Sequence, residues 1–128
     1  MTPLEVVRRY ADAWSAGDAA TVVSLYHDDI VLHWFGENPL AGDHVGKPAA
    51  LAALGQMFAR TKRGAPEIHD VLGSETHAAI LAKEHWMDGD TPIAINRVLV
   101  FHVRDGLLSE CWVYDEDQRG VDAILSRG

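Results

Sequence analysis

Two ionisable side chains of opposite sign, Arg97 and Glu110, fall on one face of a predicted hairpin whose other members are bulky. With Asp105 and Gly106 as a two-residue loop, Arg104 pairs with Leu107, Phe101 with Glu110, Leu99 with Trp112 and Arg97 with Tyr114. This register gathers Arg97, Leu99, Phe101, Glu110, Trp112 and Tyr114 on one side, and Val98, Val100, His102, Ser109, Cys111 and Val113 on the other. A carboxyl group in aromatic surroundings titrates above its usual range unless a cation is beside it, so Glu110 is the leading acid–base candidate. The competing use is an internal Arg97 to Glu110 ion pair. A slip of one residue would put Cys111 and His102 in their place.

Further polar candidates are His33, at the tip of the strand-like stretch IVLHWFG, and His85 in KEHWM; imidazole titrates near neutrality and suits acid–base work. The facing of the His85 strand stays open, because Leu81, Lys83, His85 and Ala82, Glu84, Trp86 are both mixed sets. The seven histidines show neither HxH nor HExxH spacing, so no metal site is expected. Trp14, Trp34, Trp86 and Trp112 are many for a chain of 128 residues. Those on inward faces would favour a flat, apolar ligand, and filling the core is their competing use.

These residues need elements to hold them. TPLEVVRRYADAWSAG reads as a helix, with Thr2 and Glu5 as a capping box, Pro3 in the first turn, Gly17 after the end, and Leu4, Val7, Tyr10 and Trp14 on one face. Asp18 caps a second short helix to about Tyr26. A third runs from near Pro48 past Leu51, Leu54 and Phe58 to Gly64, with Arg60, Lys62 and Arg63 complementing its C-terminal dipole. Between them ENPLAGDHVG is a turn-rich loop that connects strand to helix or caps a cavity. EIHDVLG, THAAILAKEHWM, PIAINRVLVFHVR and LLSECWVY alternate with period two and read as four strands. DEDQRGVDAILS closes the chain as a short helix, with Asp115 and Gln118 as a second capping box. Helices segregated from a meander of strands give an α+β fold in a single domain, 1–128. Neither hairpin face is wet, so the face of smaller residues is expected to meet the sheet of a second copy, making a homodimer.

Composition narrows the partners. The formal net charge of −8 with scattered basic residues opposes a nucleic acid. One cysteine, Cys111, excludes an intramolecular disulfide; no signal-like N-terminus or long apolar run is present, which suggests a cytoplasmic location and no membrane partner.

VVRRYADAWSAGD, VVSLYHDDIVLHWFGENPLAG and VFHVRDGLLSECWVYDEDQ together resemble the SnoaL-like branch of the nuclear transport factor 2-like superfamily. The resemblance implies a cone-shaped α+β barrel, a curved, mostly antiparallel sheet wrapped around three N-terminal helices, with a cavity between helices and sheet and commonly a dimer. It implies a cofactor-free enzyme of the isomerase, cyclase or lyase kind, doing acid–base chemistry on a hydrophobic substrate with a polar end, or a non-catalytic binding or accessory protein of the same fold. Tyr10 matches the oxyanion-donating tyrosine of ketosteroid isomerases. Trp34 and Leu99 match their two catalytic aspartates, so that mechanism is not expected. Glu110 lies in the region of the acidic residue of SnoaL-type cyclases, which makes Arg97 and Tyr10 the expected stabilisers of an enolate, and Trp14, Trp34, Phe58, Leu99, Phe101, Trp112 and Tyr114 the expected substrate-binding wall. Of the Asp-Arg-Asp set of the superfamily's epoxide hydrolases, Arg97 and Asp115 supply a part.

Overall fold

The computed structural model describes residues 1–127, which form α1 (Pro3–Ala16), α2 (Ala19–Ser24), β1 (Tyr26–Trp34), β2 (Gly42–Val45), α3 (Lys47–Thr61), β3 (Glu67–Gly73), β4 (His77–Asp88), β5 (Thr91–Arg104), β6 (Leu107–Asp115) and α4 (Gln118–Arg127). The α1 signals act as expected. Thr2 Oγ accepts from the Glu5 N–H, the Glu5 carboxylate accepts from the Thr2 N–H, and Gly17 stops the helix at φ 71°. Asp18 caps α2 by accepting from the Thr21 N–H and hydroxyl.

The strands form one open, curved sheet in the order β2, β1, β6, β5, β4, β3. β1 and β6 run parallel and every other neighbour pair is antiparallel. On the inner face α1 crosses β3 and β4, and α3 lies on β1. Val6, Val7, Ile30, Ile80, Phe101 and Leu108 make the centre of the core they enclose. A second cluster, Met57, Trp86, Ile95, Val121, Ile124 and Leu125, forms where α4 folds against the sheet, and Trp34 touches both. The result is the α+β cone with helices on the concave side. No helix among the described residues is long and apolar enough to cross a membrane.

Three expectations need correction. Gly42–Val45 of the supposed loop pair with Val31 to Trp34 as an edge strand. Asp122 of α4 accepts from the Glu37 N–H and the Asn38 amide, which ties the remaining turn down. Asp115 caps nothing, because Arg97 holds it; Asp117 accepts from the Gly120 N–H instead. The largest change is in the hairpin register. Arg104 does face Leu107 and Val103 faces Leu108, but His102 then faces Glu110, leaving Ser109 as an extra residue. The Ser109 hydroxyl lies 3.0 Å from the His102 carbonyl and 2.7 Å from its Nδ1, so the bulge fastens itself. From that point β6 is shifted by one. Cys111, Val113 and Asp115 join Arg97, Leu99 and Phe101 on the inner face, while Glu110, Trp112 and Tyr114 turn outward beside Val98, Val100 and His102.

Candidate functional site

The inner face carries charge in a place where few proteins leave it. Glu84, on the long strand β4, is only 1% exposed, and its carboxylate accepts from Arg63 Nη1 at 2.9 Å, Arg97 Nη1 at 3.1 Å and Trp86 Nε1 at 3.1 Å. Arg97, on β5, also donates from Nε and Nη2 to the two oxygens of Asp115 at 2.7 and 2.9 Å and lies 4.9 Å over the Trp86 ring. Burial acts to raise the Glu84 pKa, but the guanidinium groups of Arg97 and Arg63 and the indole N–H outweigh it and hold the carboxyl below its usual range. Two cations and two anions thus compensate one another, three of them on the adjacent strands β4, β5 and β6 and Arg63 on the segment after α3. The nearby cavity, bounded by Trp34, Asn38, Arg97 and Asp115, measures about 20 Å³, no more than one water molecule requires. The Arg97 side chain is itself only 4% exposed.

The larger space lies between the helices. A cavity of about 480 Å³ is walled by Trp14, Val22, Leu51, Leu54 and Phe58, with Tyr10 and Tyr26 among its lining and Arg63 at one side. α1 presents Tyr10, the first residues of β1 present Tyr26, and their hydroxyl oxygens are 2.6 Å apart in a buried setting. Burial pushes Tyr10 up to about 12 and Tyr26 well above the ordinary tyrosine value, while the Arg63 charge pulls both the other way. Two hydroxyls hold two protons and make one hydrogen bond to each other, which leaves one O–H to donate elsewhere. Arg63 reaches the cavity because Lys62 adopts a left-handed conformation at φ 46°, turning the chain out of α3, and the Gly64 N–H then bonds the His85 carbonyl of β4. Asp18 is the carboxylate of the lining, and the Thr21 hydroxyl and N–H keep its pKa below the usual range.

The sequence-selected residues divide between the two faces. Tyr10, Trp14 and Phe58 line the helix-walled cavity, although Phe58 is 58% exposed. Leu99 and Phe101 are core residues, Phe101 with its ring 5.2 Å from that of Tyr10. Trp34 bounds the small cavity. Glu110 stands on the outer face with His33, whose Nε2 is 2.7 Å from the Glu110 carboxylate and whose Nδ1 is 2.8 Å from Asp43. Trp112 stacks on His33 at 5.2 Å, and Tyr114 stacks on Phe35 at the surface. His85 is exposed and bonds Glu67. Glu110 and Arg97 are thus not brought together. Cys111 is buried inside, which pushes its thiol up to about 12 and removes it as a nucleophile. No group of three or more His, Cys, Asp or Glu among the described residues is arranged to hold a metal.

Glu84, Tyr26 and Arg63 were missed. From Ala78 to Trp86 the set Ala78, Ile80, Ala82, Glu84, Trp86 is apolar apart from one glutamate, while His77, Ala79, Leu81, Lys83, His85 and Met87 are half polar; that difference favours Glu84 inward. An opposite-charge pair across a hairpin is favourable, so Arg97 opposite Asp115 was a signal for the shifted register. Arg63 gave no signal apart from its charge.

The profile of the SnoaL-like domain matches residues 7–111. Among curated proteins nothing matches. Among solved structures, Bal32a from a soil-derived mobile gene cassette superposes with a TM-score of 0.85 at 24% identity, over 94% of this chain and 94% of that one. A protein of unknown function with a cystatin-like fold from Xanthomonas campestris gives 0.90 at 23% identity, over 99% of this chain and 100% of its own. A protein from Jannaschia called a SnoaL-like polyketide cyclase gives 0.77 at 16% identity, over 98% and 92%. At these identities the likeness carries the fold alone.

Proposed function

The chain belongs to the SnoaL-like domain family, and on that premise we propose that it binds an apolar small molecule with one hydrogen-bond-accepting end in the cavity between α1, α2 and α3. The observation that carries this reading is the Tyr10 and Tyr26 hydroxyl pair, buried in a mostly apolar lining with one O–H left to donate. A second reading, cofactor-free isomerisation, cyclisation or dehydration, draws on the same pair, because an O–H in a dry site stabilises negative charge developing on a carbonyl oxygen. Solved relatives from Jannaschia and Sinorhizobium meliloti are called polyketide cyclases. That reading needs a base as well. Glu84 and Asp115 are engaged by arginines and Asp18 by Thr21, so binding is the better supported of the two.

One neutral probe, 2-acetylnaphthalene, tests both. Crystals soaked in it should show the ketone oxygen at the tyrosine pair, and the double variant Tyr10→Phe, Tyr26→Phe should weaken binding about two- to tenfold, the worth of one hydrogen bond. A ligand found elsewhere, or an unchanged affinity, overturns the binding reading. Exchange of the acetyl protons for deuterium faster than in buffer would make the catalytic reading the stronger.

We propose further that two copies pair through their outer sheet faces. Val98, Val100 and Trp112 are only half-buried there, and Leu72 and Tyr114 are more than half exposed. Sedimentation equilibrium should return twice the chain mass; a monomer at micromolar concentration removes the proposal.

A further inference from the structure

Resting on the binding reading above, we propose that the ligand's polar end is a carboxylate, received by Arg63 together with the Tyr10 and Tyr26 hydroxyls, and that the cavity therefore selects apolar organic monoacids. The three groups are polar members of one lining. The Arg63 guanidinium lies 5.8 Å from the Trp14 ring, the Trp14 and Tyr10 rings are 6.3 Å apart, the Tyr10 and Tyr26 rings 5.7 Å, and all four residues line the same cavity.

The Arg63 member of this lining has only protons to offer. A guanidinium carries five N–H donors and no acceptor. Glu84 takes one of them, through Nη1, and among the described residues Nε and Nη2 of Arg63 have no hydrogen-bond partner. Among the described residues no buried side-chain nitrogen or oxygen lacks a partner, so those two nitrogens reach open space, and Arg63 lines the cavity. The planar edge of Nε and Nη2 matches the two oxygens of a carboxylate, and the spare tyrosine O–H adds a third donor.

Charge elsewhere narrows the choice. The chain as a whole is strongly anionic, but its field is screened within about 8 Å at physiological salt, whereas Arg63 meets the ligand directly. Asp18 is also in the lining and ionised, so a second anionic group reaching it would be repelled. The remaining walls are Trp14, Leu51, Leu54 and Phe58, which suit an aromatic or branched hydrocarbon body. An acid with one charged end and an apolar remainder fits every part of this lining.

The test compares three probes with one naphthalene body on the unaltered protein by calorimetry: 2-naphthoate, 2-naphthamide and 2-acetylnaphthalene. The carboxylate should bind at least about tenfold more tightly than either neutral probe, the difference expected between a charge-assisted and a neutral hydrogen bond. Arg63→Met should remove that preference; if this variant does not fold, Arg63→Lys should reduce the preference by keeping the charge and losing the fork. Equal affinities in the unaltered protein, a preference that survives in Arg63→Met, or one left undiminished in Arg63→Lys, would overturn the carboxylate assignment while the binding reading stands. Failure of all three probes to bind would count against both.

Discussion

Glu84, Arg97 and Asp115 on the inner face, and Glu110, His33 and Asp43 on the outer face, share one plan. In each a cation from the middle strand of three is held between carboxylates from its two neighbours, β4, β5 and β6 in the first case and β6, β1 and β2 in the second. The cation and the solvent differ. Arg97 is 6% exposed and keeps its charge at any pH a protein survives, so the inner set behaves as fixed architecture. His33 is partly exposed and titratable. A neutral imidazole donates from one nitrogen only, so contacts of 2.7 and 2.8 Å to two carboxylates both become hydrogen bonds only when the ring is protonated. The same geometry is therefore permanent on one face of the sheet and conditional on the other.

Removing a carboxylate from the permanent set should have the largest effect. Glu84→Ala removes one partner of the buried Glu84 to Arg97 pair and the acceptor of Arg63, and breaking a buried pair in this way costs about 3–5 kcal/mol. Urea unfolding of the variant should show a loss of that size; a loss under about 1 kcal/mol would mean that the buried network adds little. The pH dependence has a definite sign. The folded-state pKa of Glu84 is depressed, so its contribution is present above the ordinary carboxylate value of 4.5 and is lost as pH falls through the lower folded value.

How well the sequence foretold these two sets follows from what each depends on. The helices were legible because their ends are written locally, in Thr2 with Glu5, in Asp18 and in Gly17. Strand existence was legible too, from period-two alternation. The assignment of side chains to faces was not, because it turns on one residue, Ser109, whose bulge is recognisable only once its hydroxyl meets the His102 backbone. Everything beyond it inherited the wrong parity, which is why Glu110 was placed with Arg97 when Asp115 stands there. Tyr10 was chosen for a resemblance and does line a cavity, but its partner Tyr26 sits sixteen positions on, at a helix-to-strand junction with no pattern to mark it. Contacts made to the sheet from outside it, such as Arg63 to Glu84, depend on tertiary packing that no local spacing encodes.

The conditional set should respond to pH alone, and more weakly. Burial disfavours the charged ring of His33, but the bonds to Glu110 and Asp43 outweigh it and raise its pKa above the ordinary 6.5. A raised folded-state value means that the stabilisation is complete below about 6.5 and is lost as pH rises through the folded value. The melting temperature of the unaltered protein should therefore fall from about pH 6 to about pH 9 by more than that of His33→Gln, which keeps a polar side chain but cannot become charged. Parallel curves would show that His33 is not protonated at neutrality and that the two carboxylates are not bridged. His85 supplies the control: it meets one carboxylate, Glu67, both are exposed, and a solvated pair contributes little. His85→Gln should leave the same curve unmoved. A change as large as that of His33→Gln would mean that any imidazole beside a carboxylate suffices, and that the second carboxylate contributes nothing of its own.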